Sequence, residues 1–153
     1  MNNLKKKFLI SIFLLLSSCG YEPLFSTDKN NFSIINIKIS GDKNISSMIE
    51  RRLKIYKNAP KKEKNFYVEI NSSKNRVIAS KDTKGDPKIY SMEINVQITA
   101  SAHYLKKQKS FKEIFNYNNQ TNKFELNQYE KSLERNMTDS IVQKIILFLH
   151  SIK

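Results

Sequence analysis

The chain has 153 residues and a formal net charge of +13 at pH 7, from 27 lysines and arginines against 14 aspartates and glutamates. Hydrophobic residues make up 39% of the sequence, which is enough to fold one domain and argues against a disordered chain. The single cysteine excludes an internal disulfide framework and any CxxC metal or redox site, and three glycines are too few for a glycine-rich phosphate loop.

The first 18 residues have the layout of an export signal. Lysines at 5–7 precede nine almost wholly apolar residues at 8–16, and two small serines follow. A nine-residue helix reaches only about 14 Å, well short of a hydrocarbon core of about 30 Å, so a permanent membrane span is not expected. We predict that residues 1–18 are a lipoprotein signal peptide that is removed on export.

The only cysteine follows this segment at once. The tetrapeptide Leu16-Ser17-Ser18-Cys19 resembles the bacterial lipobox, in which the cysteine is lipidated and becomes the new first residue. The rules for such lipoproteins imply that Gly20, at the next position, directs the protein to the outer membrane. The cysteine of such a lipoprotein carries a diacylglycerol on its sulfur and an acyl chain such as palmitate on its amino group. More than one acyl chain is what stable attachment to a membrane requires. We therefore predict Cys19 as the lipidation site, residues 19–31 as a tether, and a periplasm-facing outer-membrane location.

Residues 32–153 are expected to form a single domain. Alternating residues at 32–39 predict a half-buried strand with three isoleucines on one face: Ile35, Ile37 and Ile39. Apolar residues between 45 and 56 then recur every three or four positions. That spacing predicts a short amphipathic helix, with Asn44 as its N-cap.

Alternating apolar and polar residues predict the further strands. Polar residues interrupt the pattern that begins at 65–71, so residues 76–80 either continue the same strand or start another. Turn residues predict a hairpin loop at 81–88. The clearest alternation in the chain predicts a long strand at 89–104, and a lysine-rich turn separates it from a strand at 110–117.

A long helix is predicted at the end of the chain. Asn122 and Glu125 resemble a capping box, and apolar residues recur every three or four positions from Leu126 to Ile152. The last turns are apolar almost all round, which favours burial against the sheet and the first helix over a partner-binding surface. The order β-α-β-β-β-α predicts an α+β two-layer sandwich, with two helices packed on a mainly antiparallel four-stranded sheet.

Few residues point to catalysis or metal binding. The two histidines, His103 and His150, fall at a predicted strand end and in the last helical turn, and no cysteine is left over as a co-ligand. No G-x-S-x-G elbow is present, although sequence order alone leaves a Ser-His-Asp arrangement open. We expect a non-enzymatic protein without a metal or another cofactor.

Basic residues cluster at 51–64, along 74–88 and again at 106–112, with aromatic residues among them. This pattern would suit single-stranded nucleic acid, but export separates the chain from that partner. The polyanion at an outer membrane is lipopolysaccharide, whose phosphates attract lysine and arginine. A solvated basic face that reflects lysine-rich composition remains the alternative.

The heptad Cys19-Gly20-Tyr21-Glu22-Pro23-Leu24-Phe25, together with the element order, resembles the lipopolysaccharide-assembly lipoprotein family LptE in its alphaproteobacterial form. Similarities extend to Arg51-Arg52-Leu53 and to Tyr90-Ser91-Met92. The resemblance implies a lipid-anchored α/β plug inside the β-barrel LptD, which supports barrel assembly and helps deliver lipopolysaccharide to the cell surface. No local motif transfers the family's ligand contacts, so as a hypothesis we place them on four residues around the second hairpin: Lys74, Arg76, Lys81 and Lys84.

Two other functions stay open from the sequence. One is an independent, periplasm-facing outer-membrane lipoprotein that binds an anionic ligand or a cell-wall component. The other is a lipid-anchored enzyme, which requires a convergent polar pocket. A barrel plug and a solvated domain look alike at this level, because both need a polar exterior.

Overall fold

The computed structural model of the chain describes residues 31–57 and 62–152. The predicted signal peptide, Cys19 and nearly all of the predicted tether lie outside the described residues. The elements are β1 (Phe32–Gly41), α1 (Lys43–Leu53), a 3-10 turn (Lys54–Tyr56), β2 (Lys64–Lys81), β3 (Pro87–Ala102), β4 (Leu105–Asn118) and α2 (Lys123–Ser151).

The four strands form one sheet in the order β1-β2-β3-β4. β1 and β2 run parallel and are joined through α1, whereas β2, β3 and β4 form antiparallel hairpins. Both helices pack on the same face of this sheet and contact each other. The predicted α+β two-layer sandwich with a mainly antiparallel sheet is therefore confirmed.

The core lies between the helices and one face of the sheet. The alternation predicted for β3 is matched by burial of every second residue: Met92, Ile94, Val96, Ile98 and Ala100. α1 buries Ile45, Ile49 and Leu53 at intervals of four residues, together with Ser46. α2 contributes a longer stripe from Leu126 to Leu149. Burial of each aliphatic side chain stabilises the fold by roughly 1.5–3 kcal/mol. The helices therefore pack on the sheet face that carries the apolar side chains, which gives the two layers.

A β-bulge in β1 corrects the predicted buried face. The register of β1 against β2 shifts between Ile34 and Asn36. Ile35 is the inserted residue and is 39% exposed, whereas Ile37 and Ile39 are half-buried against the core. The prediction is wrong for Ile35 because a bulge adds one residue and shifts the alternation by one position.

The N-cap of α1 is Asp42, so the prediction of Asn44 is wrong. Asp42 Oδ1 accepts hydrogen bonds from the backbone amides of Asn44 and Ile45, both at 3.0 Å. Gly41 precedes the cap with a φ of 85°, a conformation that glycine adopts without steric cost. The chain therefore leaves β1 and enters α1 two residues earlier than the spacing predicts.

β2 is a single strand of 18 residues, which settles the alternative that the sequence left open. β4 begins at Leu105, so the segment predicted as a lysine-rich turn is a strand instead. The turn consists of His103 and Tyr104 alone, because Ala102 pairs with Leu105. Lysines are common on exposed edge strands, where they discourage edge-to-edge pairing, so their presence does not indicate a turn.

The predicted cap and length of α2 are confirmed. Asn122 Oδ1 accepts the amides of Phe124 and Glu125 at 3.0 and 3.4 Å, and Asn122 Nδ2 donates to Glu125 Oε1 at 2.9 Å. At the other end Lys64 Nζ donates to the carbonyl oxygen of Ile152 at 2.6 Å. Lysine therefore satisfies a carbonyl that the end of a helix leaves without an intrahelical partner.

Because α2 runs antiparallel to β2, the domain has two distinct ends. The C-terminus of α2 meets the start of β2 through Lys64, and its first turns meet the later part of β2 through Arg76. We call the end that carries the start of β1 and the turn His103-Tyr104 the tether end. The opposite end, with loop 82–86 and the start of α2, is the hairpin end. At about 3.3 Å per residue, the 18 residues of β2 separate these ends by roughly 55 Å.

Candidate functional site

Two of the predicted ligand contacts, Lys74 and Arg76, face α2. Lys74 Nζ lies 2.6 Å from Glu134 Oε2, and Arg76 Nε lies 2.7 Å from Glu130 Oε1. The lysine and arginine are two residues apart on a strand and the glutamates four apart on a helix, so each pair of residues shares a face. These two ion pairs hold α2 on the sheet, and a role of Lys74 and Arg76 in ligand binding stays a prediction.

Arg76 also joins an aromatic cluster. Its guanidinium carbon lies 3.7 Å from the centroid of the Tyr90 ring, and its Nε donates to the Tyr117 hydroxyl at 3.2 Å. That hydroxyl donates in turn to Glu130 Oε1 at 2.7 Å. Burial and the hydrogen bond to Glu130 raise the pKa of Tyr117 to about 12. Burial lowers the pKa of Arg76, but its hydrogen bonds to Tyr117 and Glu130 outweigh burial and leave that pKa raised.

A double-mutant cycle on Arg76→Gln and Glu130→Gln is expected to give a coupling energy of roughly 1 kcal/mol, because the pair is partly shielded from water. The Arg76 and Glu130 side chains are 41% and 21% exposed. The matched control is the Lys38–Glu69 pair, which is 3.8 Å apart and 76% and 60% exposed, and which should couple weakly. Urea unfolding followed by circular dichroism measures both cycles, and equal coupling in the two would contradict this account.

Lys81 and Lys84, the other two predicted contacts, are exposed at the hairpin end. Asp82 shapes the loop, because its Oδ1 accepts the backbone amides of Lys84 and Asp86 at 2.9 Å each. Asn119, directly after β4, donates to the carbonyl of Pro87 at 2.8 Å and ties the connection between β4 and α2 to the start of β3. An open depression of about 840 Å³ has a basic excess in its lining, which includes Lys81, Asp82, Asp86, Lys88 and Lys123.

Exposed apolar side chains adjoin this basic end. Six large side chains that are 39–71% exposed belong to the nearby half of the sheet or to the first turns of α2: Val77, Ile78, Ile114, Phe115, Phe124 and Tyr129. A second depression, of about 440 Å³, lies beside β4 and is lined in part by Phe115 and Tyr129. Lysines at the tip with apolar side chains behind them suit an amphiphile whose head group is anionic.

The sheet face opposite the helices, which we call the polar outer face, is covered by no element within residues 31–57 and 62–152. Its rows consist mainly of amide and hydroxyl side chains: Asn71, Ser73, Asn75, Ser91, Asn95, Gln97, Thr99 and Ser110. Lys112 Nζ pairs with Glu93 Oε2 at 2.8 Å. Hydrogen bonds from Lys112 and Asn95 lower the pKa of Glu93, so the charge on this part of the face is balanced.

The two histidines lie at the tether end. His150 packs edge-on against Phe32 with ring centroids 5.0 Å apart, and burial together with the charge of Lys64 lowers its pKa. Within the described ranges, no group of three or more His, Cys, Asp or Glu side chains could hold a metal ion. Across the same ranges, neither helix has both the length and the apolar character that a bilayer crossing requires.

Glu130, Glu134 and Tyr117 are partners of the basic residues on β2 that were not predicted from the sequence. The alternation of β2 could have indicated these partners. Positions 74 and 76 lie on the same, helix-facing side of the strand as Phe66, Val68 and Ile70. Cations at inward positions need anionic partners, because burying an unpaired charge is costly. The α2 glutamates were the acidic residues at helical spacing that could meet this need.

No protein-family model matches the chain, and no curated protein matches it significantly. Several solved structures share its fold. The crystal structure of rare lipoprotein B from Shewanella oneidensis has a TM-score of 0.51 at 12% identity, over 72% of this chain and 92% of that one. The solution structure of an uncharacterized lipoprotein B from Nitrosomonas europaea has a TM-score of 0.56 at 17% identity, over 78% and 83%.

A third similar structure is the crystal structure of a putative lipoprotein from Caulobacter crescentus, with a TM-score of 0.54 at 11% identity, over 82% of this chain and 93% of that one. At these identities the likeness establishes a shared fold. The described part of this chain therefore has a fold that also occurs in these bacterial lipoproteins.

Proposed function

We propose that the protein is an outer-membrane lipoprotein of the LptE type, which acts as plug and assembly partner of an LptD-like β-barrel in lipopolysaccharide transport to the cell surface. Its anchor is the acylated Cys19, its domain faces the periplasmic side, and its role is non-catalytic and needs no cofactor. Support comes from the lipobox-like tetrapeptide, the LptE-like heptad and a fold shared with bacterial lipoproteins.

The layout of the two ends is the observation that carries this proposal. The predicted lipid anchor joins the tether end, and the basic depression with its neighbouring exposed apolar side chains lies at the opposite, hairpin end. The separation of roughly 55 Å exceeds the full bilayer thickness of about 40–45 Å. A domain anchored at the inner leaflet and seated in a barrel would therefore bring its hairpin end to the level of the outer leaflet.

The polar outer face suits a water-filled barrel lumen. Amide and hydroxyl side chains can exchange hydrogen bonds with lumen residues or through bridging water, and the balanced Glu93 and Lys112 add no strong charge. The same face would also be stable in bulk water. The independent lipoprotein that binds an anionic ligand or a cell-wall component is thus the second candidate, and the basic hairpin end is what favours it.

Affinity purification of the tagged protein from detergent-solubilised membranes tests the partnership. We expect co-purification of one large β-barrel protein, and a loss of surface lipopolysaccharide when the protein is depleted. The Cys19→Ala variant is the anchor control and should lose labelling by a fatty-acid analogue. Repeated purification without a barrel, together with unchanged surface lipopolysaccharide after depletion, would favour the independent lipoprotein.

The double substitution Lys81→Glu and Lys84→Glu is expected to weaken lipopolysaccharide binding by about tenfold or more, because it reverses the charge at the exposed tip. Binding of purified lipopolysaccharide to immobilised protein measures the effect. The control is Lys43→Glu with Lys54→Glu, which makes the same change in net charge on exposed positions of α1 and the 3-10 turn. Equal losses in the two variants would show that net charge, and not the hairpin end, attracts the ligand.

A further inference from the structure

We propose that the tether end makes a second membrane contact, in which Tyr104, Lys106 and Lys107 bind the head groups of an anionic phospholipid bilayer. The proposal rests on the lipid anchor of the proposed function. It does not depend on the barrel partner. The contact would hold the tether end at the head groups of the leaflet that carries the anchor.

Tyr104 projects from the tether end. It is 101% exposed, the highest value among the exposed large hydrophobic side chains. It shares a two-residue turn with His103, whose φ of 49° lies in the left-handed region. Glycine is the residue that normally occupies such a position in a two-residue hairpin turn. The His103 ring meets the Tyr104 ring edge-on at 5.3 Å, so the turn presents an aromatic pair.

Lys106 and Lys107 follow this turn and extend to opposite faces of the sheet, since successive strand residues alternate. Both are exposed, and neither has an acidic partner within residues 31–57 and 62–152. Lys112, further along β4, and Lys74 on β2 are by contrast ion-paired. The head-group region of a bilayer is enriched in tyrosine, and its phosphates bind lysine. The Tyr104 ring and the two exposed ammonium groups of Lys106 and Lys107 therefore have the chemistry that this region binds.

The position of the turn determines which partner it meets. Cys19 precedes Asn31 by 12 positions, and a chain of that length reaches at most about 40 Å. Ile55 adds an apolar side chain that is 60% exposed at the same end, because its neighbour Tyr56 stacks on Phe32 with ring centroids 5.2 Å apart. An anchored acyl group keeps this end close to the bilayer, so even a weak contact is populated through its high effective concentration.

The chain has no tryptophan, so one introduced tryptophan reports on its own surroundings. We would place it by Tyr104→Trp at the tether end, and by Phe124→Trp at the hairpin end, where Phe124 is 71% exposed. The lipidated protein is reconstituted in vesicles of phosphatidylglycerol and phosphatidylcholine at about 3:7, or of phosphatidylcholine alone. Brominated acyl chains then quench a tryptophan that reaches the membrane interface.

We expect blue-shifted emission and quenching for Tyr104→Trp in the anionic vesicles, and water-like, unquenched emission for Phe124→Trp. Adding Lys106→Gln and Lys107→Gln to the Tyr104→Trp protein should lower the ratio of bound to free turn about 30-fold, since each lysine near an anionic surface is worth roughly fivefold. The matched control, Lys123→Gln with Lys131→Gln, removes two exposed lysines from α2 and should leave the quenching unchanged.

Absence of quenching at position 104 in anionic vesicles would overturn the proposal, as would quenching that does not depend on Lys106 and Lys107. A blue shift that appears only after a barrel protein is added would assign the turn to a protein partner and overturn it equally. Mass spectrometry that finds Cys19 without acyl chains would refute the anchor of the proposed function. In that case the same quenching measurement on the unlipidated protein, at raised vesicle concentration, would still test the membrane contact. Quenching at position 104 would support the contact, and its absence would overturn it.

Discussion

Gly41→Ala is expected to lower the free energy of unfolding by about 4 kcal/mol or more, which is at the upper end for a single substitution. A Cβ atom at this position would lie 1.9 Å from the carbonyl oxygen of Ser72, and the φ of Gly41 is 85°. The Ser72 oxygen cannot move away freely, because it accepts the amide of Asp42 at 2.8 Å. The junction of β1, β2 and α1 would therefore have to open.

Gly85→Ala is the matched control for this prediction. Gly85 has a nearly identical φ of 88°, but a Cβ there would meet no atom within 4 Å. Only the backbone preference is lost, so we expect a cost of about 1–2 kcal/mol. Chemical unfolding of both variants measures the difference, and equal costs would show that the close approach of Gly41 to Ser72 is not a constraint.

The second large effect is expected for Ile145→Ala, which should cost about 3 kcal/mol. Ile145 of α2 is 0% exposed and belongs to the hydrophobic core, so truncation leaves a cavity in that core. Leu147, two residues further along the same helix, is 60% exposed. Leu147→Ala should change stability by less than about 0.5 kcal/mol.

Thermal and urea unfolding of the two variants tests whether the apolar side chains in the last turns of α2 stabilise the domain by packing in its core. Similar costs for Ile145→Ala and Leu147→Ala would contradict the packing described for this helix. If Leu147→Ala leaves stability unchanged but weakens barrel co-purification, the exposed side of α2 belongs to the partner surface as well.

The main architecture could be predicted from the sequence because hydrophobic periodicity reports directly which face of an element is buried. β3 alternates without a break, and the apolar stripe of α2 continues for seven turns, so the pattern predicts the type of both elements and the inward face of β3. The bulge at Ile35 could not be predicted in this way. Alternation continues through Ile35, Ile37 and Ile39 in the sequence, and only the pairing with β2 reveals the inserted residue.

Only the part of the candidate site that depends on local sequence could be predicted. Lys81 and Lys84 follow from a loop rich in turn residues, and the structure places both lysines exposed at the tip. The ion pairs of Lys74 and Arg76 join residues 60 and 54 positions apart, so no local pattern connects the partners. The aromatic turn at the tether end was hidden because lysines after position 105 were interpreted as the turn itself.

The described domain is a two-layer unit whose long helix α2 is fastened to the sheet at both ends. Ion pairs and the Tyr117 hydrogen bonds fasten α2 near the hairpin end, while Lys64 closes its C-terminus at the tether end. Rigidity along the long axis would let a lipid anchor at one end position a basic and apolar surface at the other. That property is what a plug with a defined orientation requires.

Site-specific photocrosslinking in native cells tests most directly whether the domain lies inside an outer-membrane β-barrel. A photoreactive phenylalanine analogue in place of Asn95 would stand in the middle of the polar outer face without replacing a core residue. The account predicts one dominant adduct, with the mass of this protein plus a large outer-membrane β-barrel. A protein that crosslinks to no barrel, while the same variant remains folded and membrane-anchored, would contradict it.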